Sequence, residues 1–143
     1  MEFSISPELS VRHGRAAIDF YVAAFGARQV YRVAGTDESP DVVAELAIGD
    51  TSFWVSDEAP AHGNFSPESL GGGTVRLLLR VEDPLAVFGR ALALGAREVS
   101  PLAEEHGWLL GRLVDPFGHH WEIGKPLIAW PPASGRPGRH PGP

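Results

Sequence analysis

Ala24-Phe25-Gly26-Ala27-Arg28-Gln29-Val30 returns 69 positions later as Ala93-Leu94-Gly95-Ala96-Arg97-Glu98-Val99, so one folding unit is written twice in this chain of 143 residues. Two copies are too few for a solenoid, which needs at least about three stacked repeats to bury its faces. The copies are therefore expected to pair around a common core and to leave a cleft between them.

Working outward from the first copy, Glu2 to Val11 alternates, with Phe3, Ile5, Leu9 and Val11 on one side and Ser4, Ser6, Glu8 and Ser10 on the other, the pattern of a half-buried strand. After Gly14 the period lengthens. Ile18, Tyr21, Val22 and Phe25 fall on one helical face, and Gly26 supplies the stop. Strands are expected near 29–34, 41–48 and 51–56, with Gly49-Asp50 as the tight turn between the last two. The second copy opens on Val75, Leu77, Leu79 and Val81 alternating with Thr74, Arg76, Leu78 and Arg80. Asp83-Pro84 then pairs a good N-cap with a residue tolerated at the first helical position, and Leu85, Phe88 and Leu92 form the expected apolar stripe. Strands near 97–102, 108–114 and 119–124 complete it. Each unit thus reads strand, helix, strand, strand, strand, an α+β class with module 1 at about 1–57 and module 2 at about 74–124. Residues 58–73, rich in Pro, Ser and Gly, read as a linker, with a functional lid as the alternative. From Lys125 the chain turns to Pro and Gly, which marks 125–143 as a tail, and Leu127, Ile128 and Trp130 are the residues able to anchor it.

Composition narrows the functions. With no cysteine there is no disulfide framework, thiolate nucleophile or Cys-ligated zinc. Net charge is −6, and because Lys125, Arg136 and Arg139 belong to the tail, residues 1–124 hold nine basic against eighteen acidic side chains. That balance disfavours nucleic acid and favours cationic or neutral small ligands. No apolar run suggests a membrane span and no secretory leader is visible, so a cytoplasmic location is expected.

Four stretches, in this order and spacing, resemble the vicinal-oxygen-chelate superfamily of glyoxalase I, bleomycin-resistance proteins and extradiol dioxygenases: Ala17-Ile18-Asp19-Phe20-Tyr21 with Phe25-Gly26-Ala27, Ser66 to Gly72, Val81-Glu82-Asp83, and Val114 to Ile123. Within it, the look is nearest to the branch named after the phosphonate-operon glyoxalase-like proteins. The resemblance implies paired βαβββ modules in a curled mixed sheet with a cup, and a homodimer with a small organic ligand in each cup. In metal-dependent members four side chains meet on the cup floor, and alignment by motif puts those positions at Ser6, Trp54, Arg76 and Glu122.

Only Glu122 of the four is a good metal ligand, and the fixed cation of Arg76 would repel a metal ion. A relocated site using His120, two residues before Glu122, and Glu8 is the alternative. Neither a metal nor a cofactor is therefore expected. The same positions suit a binding surface of Ser6, Trp54, Arg76, Leu78, Trp108, His120 and Glu122. In it Trp54 is either a stacking platform or core, and Arg76 and Glu122 form either a plain ion pair or a polar grip. His119 faces away from Glu122 and reads as a packed or surface histidine, and His13, His62, His106 and His140 as ordinary solvated ones. The expected function is metal-free binding of a small molecule, such as an antibiotic or aromatic natural product. The alternatives are a glyoxalase-like lyase, isomerase or dioxygenase with a displaced metal or Glu122 as base, and a sensor without chemistry.

Overall fold

The computed structural model describes residues 2–133; the expectations for His140 and the later prolines lie outside them. Its elements run β1 (Glu8–Val11), α1 (Gly14–Phe25), β2 (Arg28–Ala34), β3 (Val42–Ile48), β4 (Thr51–Asp57), a 3-10 turn at Pro60–His62, α2 (Pro67–Leu70), β5 (Arg76–Arg80), α3 (Pro84–Ala93), β6 (Arg97–Glu105), β7 (Trp108–Val114) and β8 (His120–Pro126). The duplication is visible in the pairing. One sheet has the order β1-β4-β3-β2 and the other β5-β8-β7-β6, each with one parallel pair at the crossover. The α+β class and the two βαβββ units are as expected, and the curled sheet is divided into two four-stranded halves.

Both sheets turn their apolar faces to one shared core. Leu9, Val11, Val42, Ala44, Leu46, Phe53 and Val55 come from the first, and Leu79, Leu113, Trp121 and Ile123 from the second, with α1 and α3 between. Phe53 of β4 meets Trp121 of β8 at 5.7 Å between ring centres, and Tyr21 and Phe25 of α1 lie against the same indole. Arg90 of α3 donates to the Ala24 carbonyl at 3.1 Å, and His119 Nε2 donates to the Ser10 carbonyl at 2.9 Å, so each repeat is tied to the other by polar contacts as well. The histidine is a packed one.

Several expectations shift. β1 begins at Glu8, and Phe3 and Ile5 are almost wholly exposed, because residues 2–7 precede the strand and have no sheet beneath them. The buried stripe of α3 is Pro84, Val87, Phe88 and Ala91, which shares Phe88 with the expected one but otherwise falls one position earlier at its ends, and this leaves Leu85 exposed. Val22 and Val75 are likewise exposed. Asp83 caps α3 as expected, accepting from the Ala86 N–H at 3.2 Å. The linker is pinned: Glu58 accepts from the Ser66 N–H at 2.8 Å and from the Ser69 hydroxyl at 2.9 Å, which holds its carboxyl below the usual range. The tail folds back through the Leu127 N–H to the Gly107 carbonyl at 2.7 Å and through Trp130, which stands edge-to-face with Trp108 at 5.3 Å.

Candidate functional site

Strand alternation fixes what the outer faces carry. Since Phe53 and Trp121 face each other across the core, Trp54 and Glu122, one residue further along each strand, project from the reverse faces of the two sheets. A single chain therefore does not bring Trp54 and Glu122 into one cup. The register also puts Glu8 beside Trp54, where Ser6 was expected, and Leu78 beside Glu122, with Arg76 one pair away opposite His120. Ser6 is exposed ahead of β1. Trp54 is half-buried and packs on Tyr31 at 5.8 Å. Glu45 pairs with Trp54 and Tyr31 on this outer surface and accepts from the Ser52 hydroxyl at 2.8 Å.

The outer face of the second sheet gathers the remaining candidates. Leu78, Trp108 and Glu122 line a cavity of about 320 Å³ together with Glu105, His106, Leu110 and Trp130. Trp130 of the folded-back tail closes one side, and Arg80 lies over the Trp108 ring at 5.9 Å, a cation–π contact that fixes the indole from the strand side. Arg76 Nε stands 3.7 Å from Glu122 Oε1, an ion pair half open to solvent and so worth little to stability. A larger crevice of about 790 Å³ runs between the Gly49-Asp50 turn and the ends of β5 and β8, but its lining holds no aromatic side chain and, of the candidates, only Leu78. Volume alone does not make it the better site for an organic ligand, because apolar and aromatic walls supply most of the binding energy.

Beside this cavity His120 Nδ1 lies 3.1 Å from Arg112 Nη2. Burial, followed by the charges of Arg112, Arg97 and Arg76, pushes the His120 pKa down from 6.5, with Asp115 opposing. The neutral ring therefore accepts from Arg112. In the unfolded chain the ring is protonated first as pH falls, so the contribution of neutral His120 is complete above 6.5 and is lost on acidification through the folded value. An NMR titration of the His120 ring is expected to show a midpoint below 6.5, and Arg112→Gln is expected to move it back up.

Among the described residues, no three His, Asp or Glu side chains come together in a way that could hold a metal ion. Glu8 and Glu122 stand on different sheets, and His120 is engaged by Arg112. The donor set in one chain does not fit the metal of the metal-dependent members.

Three residues at or behind this face were given no part in the site by the sequence reading. Arg112 was legible from the alternation of β7, which puts it with Trp108 and Leu110 on the outer face. Trp130 was assigned to tail anchoring, and no periodicity could show that it walls a cavity. Asp115, buried in the Asp115-Pro116-Phe117-Gly118 turn, accepts from the Phe117 and His119 N–H groups at 2.9 and 3.0 Å, from Trp121 Nε1 at 2.9 Å and from the Tyr21 hydroxyl. Burial, with Asp115 adding to it, holds the Tyr21 pKa well above its ordinary value.

Paired βαβββ modules around a shared core, with ligand-sized space on the outer sheet face, define an α+β protein of the glyoxalase, bleomycin-resistance and dioxygenase fold. The profile of the glyoxalase-like domain matches residues 8–124, and the chain belongs to that family. It is 40% identical over 131 residues to the uncharacterized protein Mb0911c of Mycobacterium bovis, covering 89% of this chain and 86% of that one. The X-ray structure of the Arabidopsis thaliana AT5G48480 gene product superposes with a TM-score of 0.69 at 28% identity, over 87% of this chain and 100% of that one. A glyoxalase/bleomycin resistance protein/dioxygenase family enzyme from Burkholderia phytofirmans PsJN superposes with a TM-score of 0.63 at 20% identity, over 84% and 95% of the two chains, and shows likeness of fold.

Proposed function

We propose that this protein binds a planar organic molecule, without a metal, in the cavity lined by Trp108 and Trp130, in the manner of the bleomycin-resistance type. Sequestration of an antibiotic or aromatic natural product is the physiological form of that reading. The observation that carries it is the cavity itself: about 320 Å³, walled by two tryptophans, Leu78 and Leu110, with the Glu122 carboxylate at its edge. Apolar walls with a few placed polar groups suit an organic ligand of modest size.

The working unit is a homodimer in which the outer face of the first sheet covers the outer face of the partner's second sheet. Tyr31, Val33 and Val43 are about half exposed on the one and Leu78 on the other, the apolar surface such a contact would bury. The first face carries Glu8 and Glu45 and the second Arg76, Arg80 and Arg112, so the charges are complementary. This arrangement returns Trp54 to the site from the partner. The motif at Val114 to Ile123 supports the finer placement in the phosphonate-operon glyoxalase-like branch. Among the described residues no helix is long and apolar enough to cross a membrane, and cytoplasmic residence is part of the same proposal.

The test is a calorimetric titration of chelator-treated protein with a panel of planar aromatic compounds, combined with sedimentation and analysis of the recovered ligand. One ligand per chain, recovered unchanged from a dimer, is the expected result. Turnover would instead favour the lyase, isomerase or dioxygenase reading, for which Glu122 beside Arg76 is the base.

A further inference from the structure

The chain as a whole is acidic, yet the surface next to the Trp108–Trp130 cavity is not. The register of the second sheet sets Arg76 opposite His120, His120 opposite Val114 and Val114 opposite Arg97, while the neighbouring row sets Leu78 opposite Glu122 and Glu122 opposite Arg112. All of these side chains leave the same outer face, and the fields of Arg76, Arg97 and Arg112 all reach His120. Three guanidinium groups thus surround a neutral imidazole. The carboxylates on their own face are Glu122, which pairs with Arg76 at 3.7 Å, and Glu105, which stands opposite Trp108 at the far end of β6 from Arg97. Asp115 lies behind the sheet with its oxygens taken by Tyr21, Trp121, Phe117 and His119.

Arg112 is the least satisfied member. Its Nη2 is spent on a neutral acceptor at 3.1 Å, and its Nε is buried without a hydrogen-bond partner. A buried donor left without an acceptor is costly, more so on a charged group, so native structures supply a partner for it. The partner that would also neutralise the local excess of positive charge is an oxyanion.

We propose that Arg76, Arg97 and Arg112 form an oxyanion site that receives the acidic group of the ligand whose ring occupies the Trp108–Trp130 cavity, so that the ligand is a planar aromatic carboxylate. The inference rests on the cavity reading above. Glu122 belongs to both places, as it lines the cavity, lies between Leu78 and Arg112 in the sheet and pairs with Arg76. His120 and Glu122 are two residues apart on one face, a separation of about 7 Å, which the length of a two-ring aromatic acid bridges. The planar guanidinium fork matches a carboxylate in geometry, and a local potential opposite to the net charge would select it over cationic competitors. It also reverses the preference for cationic ligands that overall composition suggests.

Calorimetry on the chelator-treated protein with 2-naphthoate and its neutral isostere 2-naphthamide tests this. Naphthoate is expected to bind at least about tenfold tighter at low salt, with the preference abolished in Arg112→Gln and increased in Glu122→Gln. Equal affinities would overturn the oxyanion site and leave the cavity standing, and binding of neither would overturn both. A second readout does not depend on the ring. Inorganic phosphate is expected to shift the His120 resonance saturably and to raise its titration midpoint, beyond the effect of sodium chloride at matched ionic strength. A response identical to chloride would refute the site, and phosphate binding tighter than naphthoate would refute the aromatic carboxylate as its ligand.

Discussion

Asp115→Ala is expected to lower folding stability by about 4 kcal/mol, which is near the upper end for a single substitution, because four donors lose their acceptor at once in the core. Two of the donors are side chains buried beyond reach of water, Tyr21 fully and Trp121 nearly so. The other two are the Phe117 and His119 N–H groups that shape the turn into β8. The same carboxylate links α1 of the first repeat to β8 of the second, so its loss loosens the joint between the copies. Denaturant unfolding measures the effect as a lower midpoint at unchanged slope. Tyr21→Phe removes one donor and leaves Asp115 the other three, and about 1 kcal/mol is expected. An Asp115→Ala variant no less stable than Tyr21→Phe would show that the network is not what joins the repeats.

The second large effect concerns binding. Trp108→Ala is expected to weaken a planar ligand by about 1–3 kcal/mol, a factor of roughly ten to over a hundred in Kd. It removes a cavity wall and the seat of both Trp130 and Arg80. Calorimetry on the variant measures the loss, with thermal unfolding alongside to separate it from global destabilisation. Trp130→Ala takes away the adjoining wall while leaving β7 intact, and a similar loss there would assign the effect to the cavity. Unchanged affinity in both variants would place the ligand elsewhere on the sheet.

The fold was open to reading because the repeat is local and its periodicities are strong. The two Phe/Leu-Gly-Ala-Arg stretches carry helix-stop and strand signals, and Val114 to Ile123 carries strand and turn signals, that agree with one another. What alternation could not give is which edge of a strand is covered. Phe3 and Ile5 have the pattern of a buried face, but the pairing with β4 begins only at Glu8, so they lie outside the sheet and stand in solvent. The expected stripe of α3 slipped for a related reason, since Leu85 and Val87 both suit an apolar face and the placement of α1 and the second sheet around the helix decides between them.

The site was half legible. Residue types and strand parity put Arg76, Leu78, His120 and Glu122 on one face, and the register confirms that they share it. Trp54 was grouped with them on the expectation that both modules line one cup. The shared core instead sets the apolar faces of the sheets towards each other and their polar faces apart. No single-chain pattern encodes that choice, because the hydrophobic period of a strand is the same whichever module it packs against. Arg112 and Trp130 depend on tertiary geometry further still, one through its contact with His120 and the other through the folded-back tail.

The four tryptophans make the central claim directly testable in one experiment. Their indole N–H resonances, assigned by single substitutions, are to be followed in chelator-treated protein as a planar aromatic carboxylate such as 2-naphthoate is added. The account predicts saturable shifts of Trp108 and Trp130, a shift of Trp54 through the partner's sheet, and a still Trp121, whose Nε1 is held by Asp115 at 2.9 Å in the core. Shifts confined to Trp54, or no saturable shift of Trp108 and Trp130 at all, would contradict it.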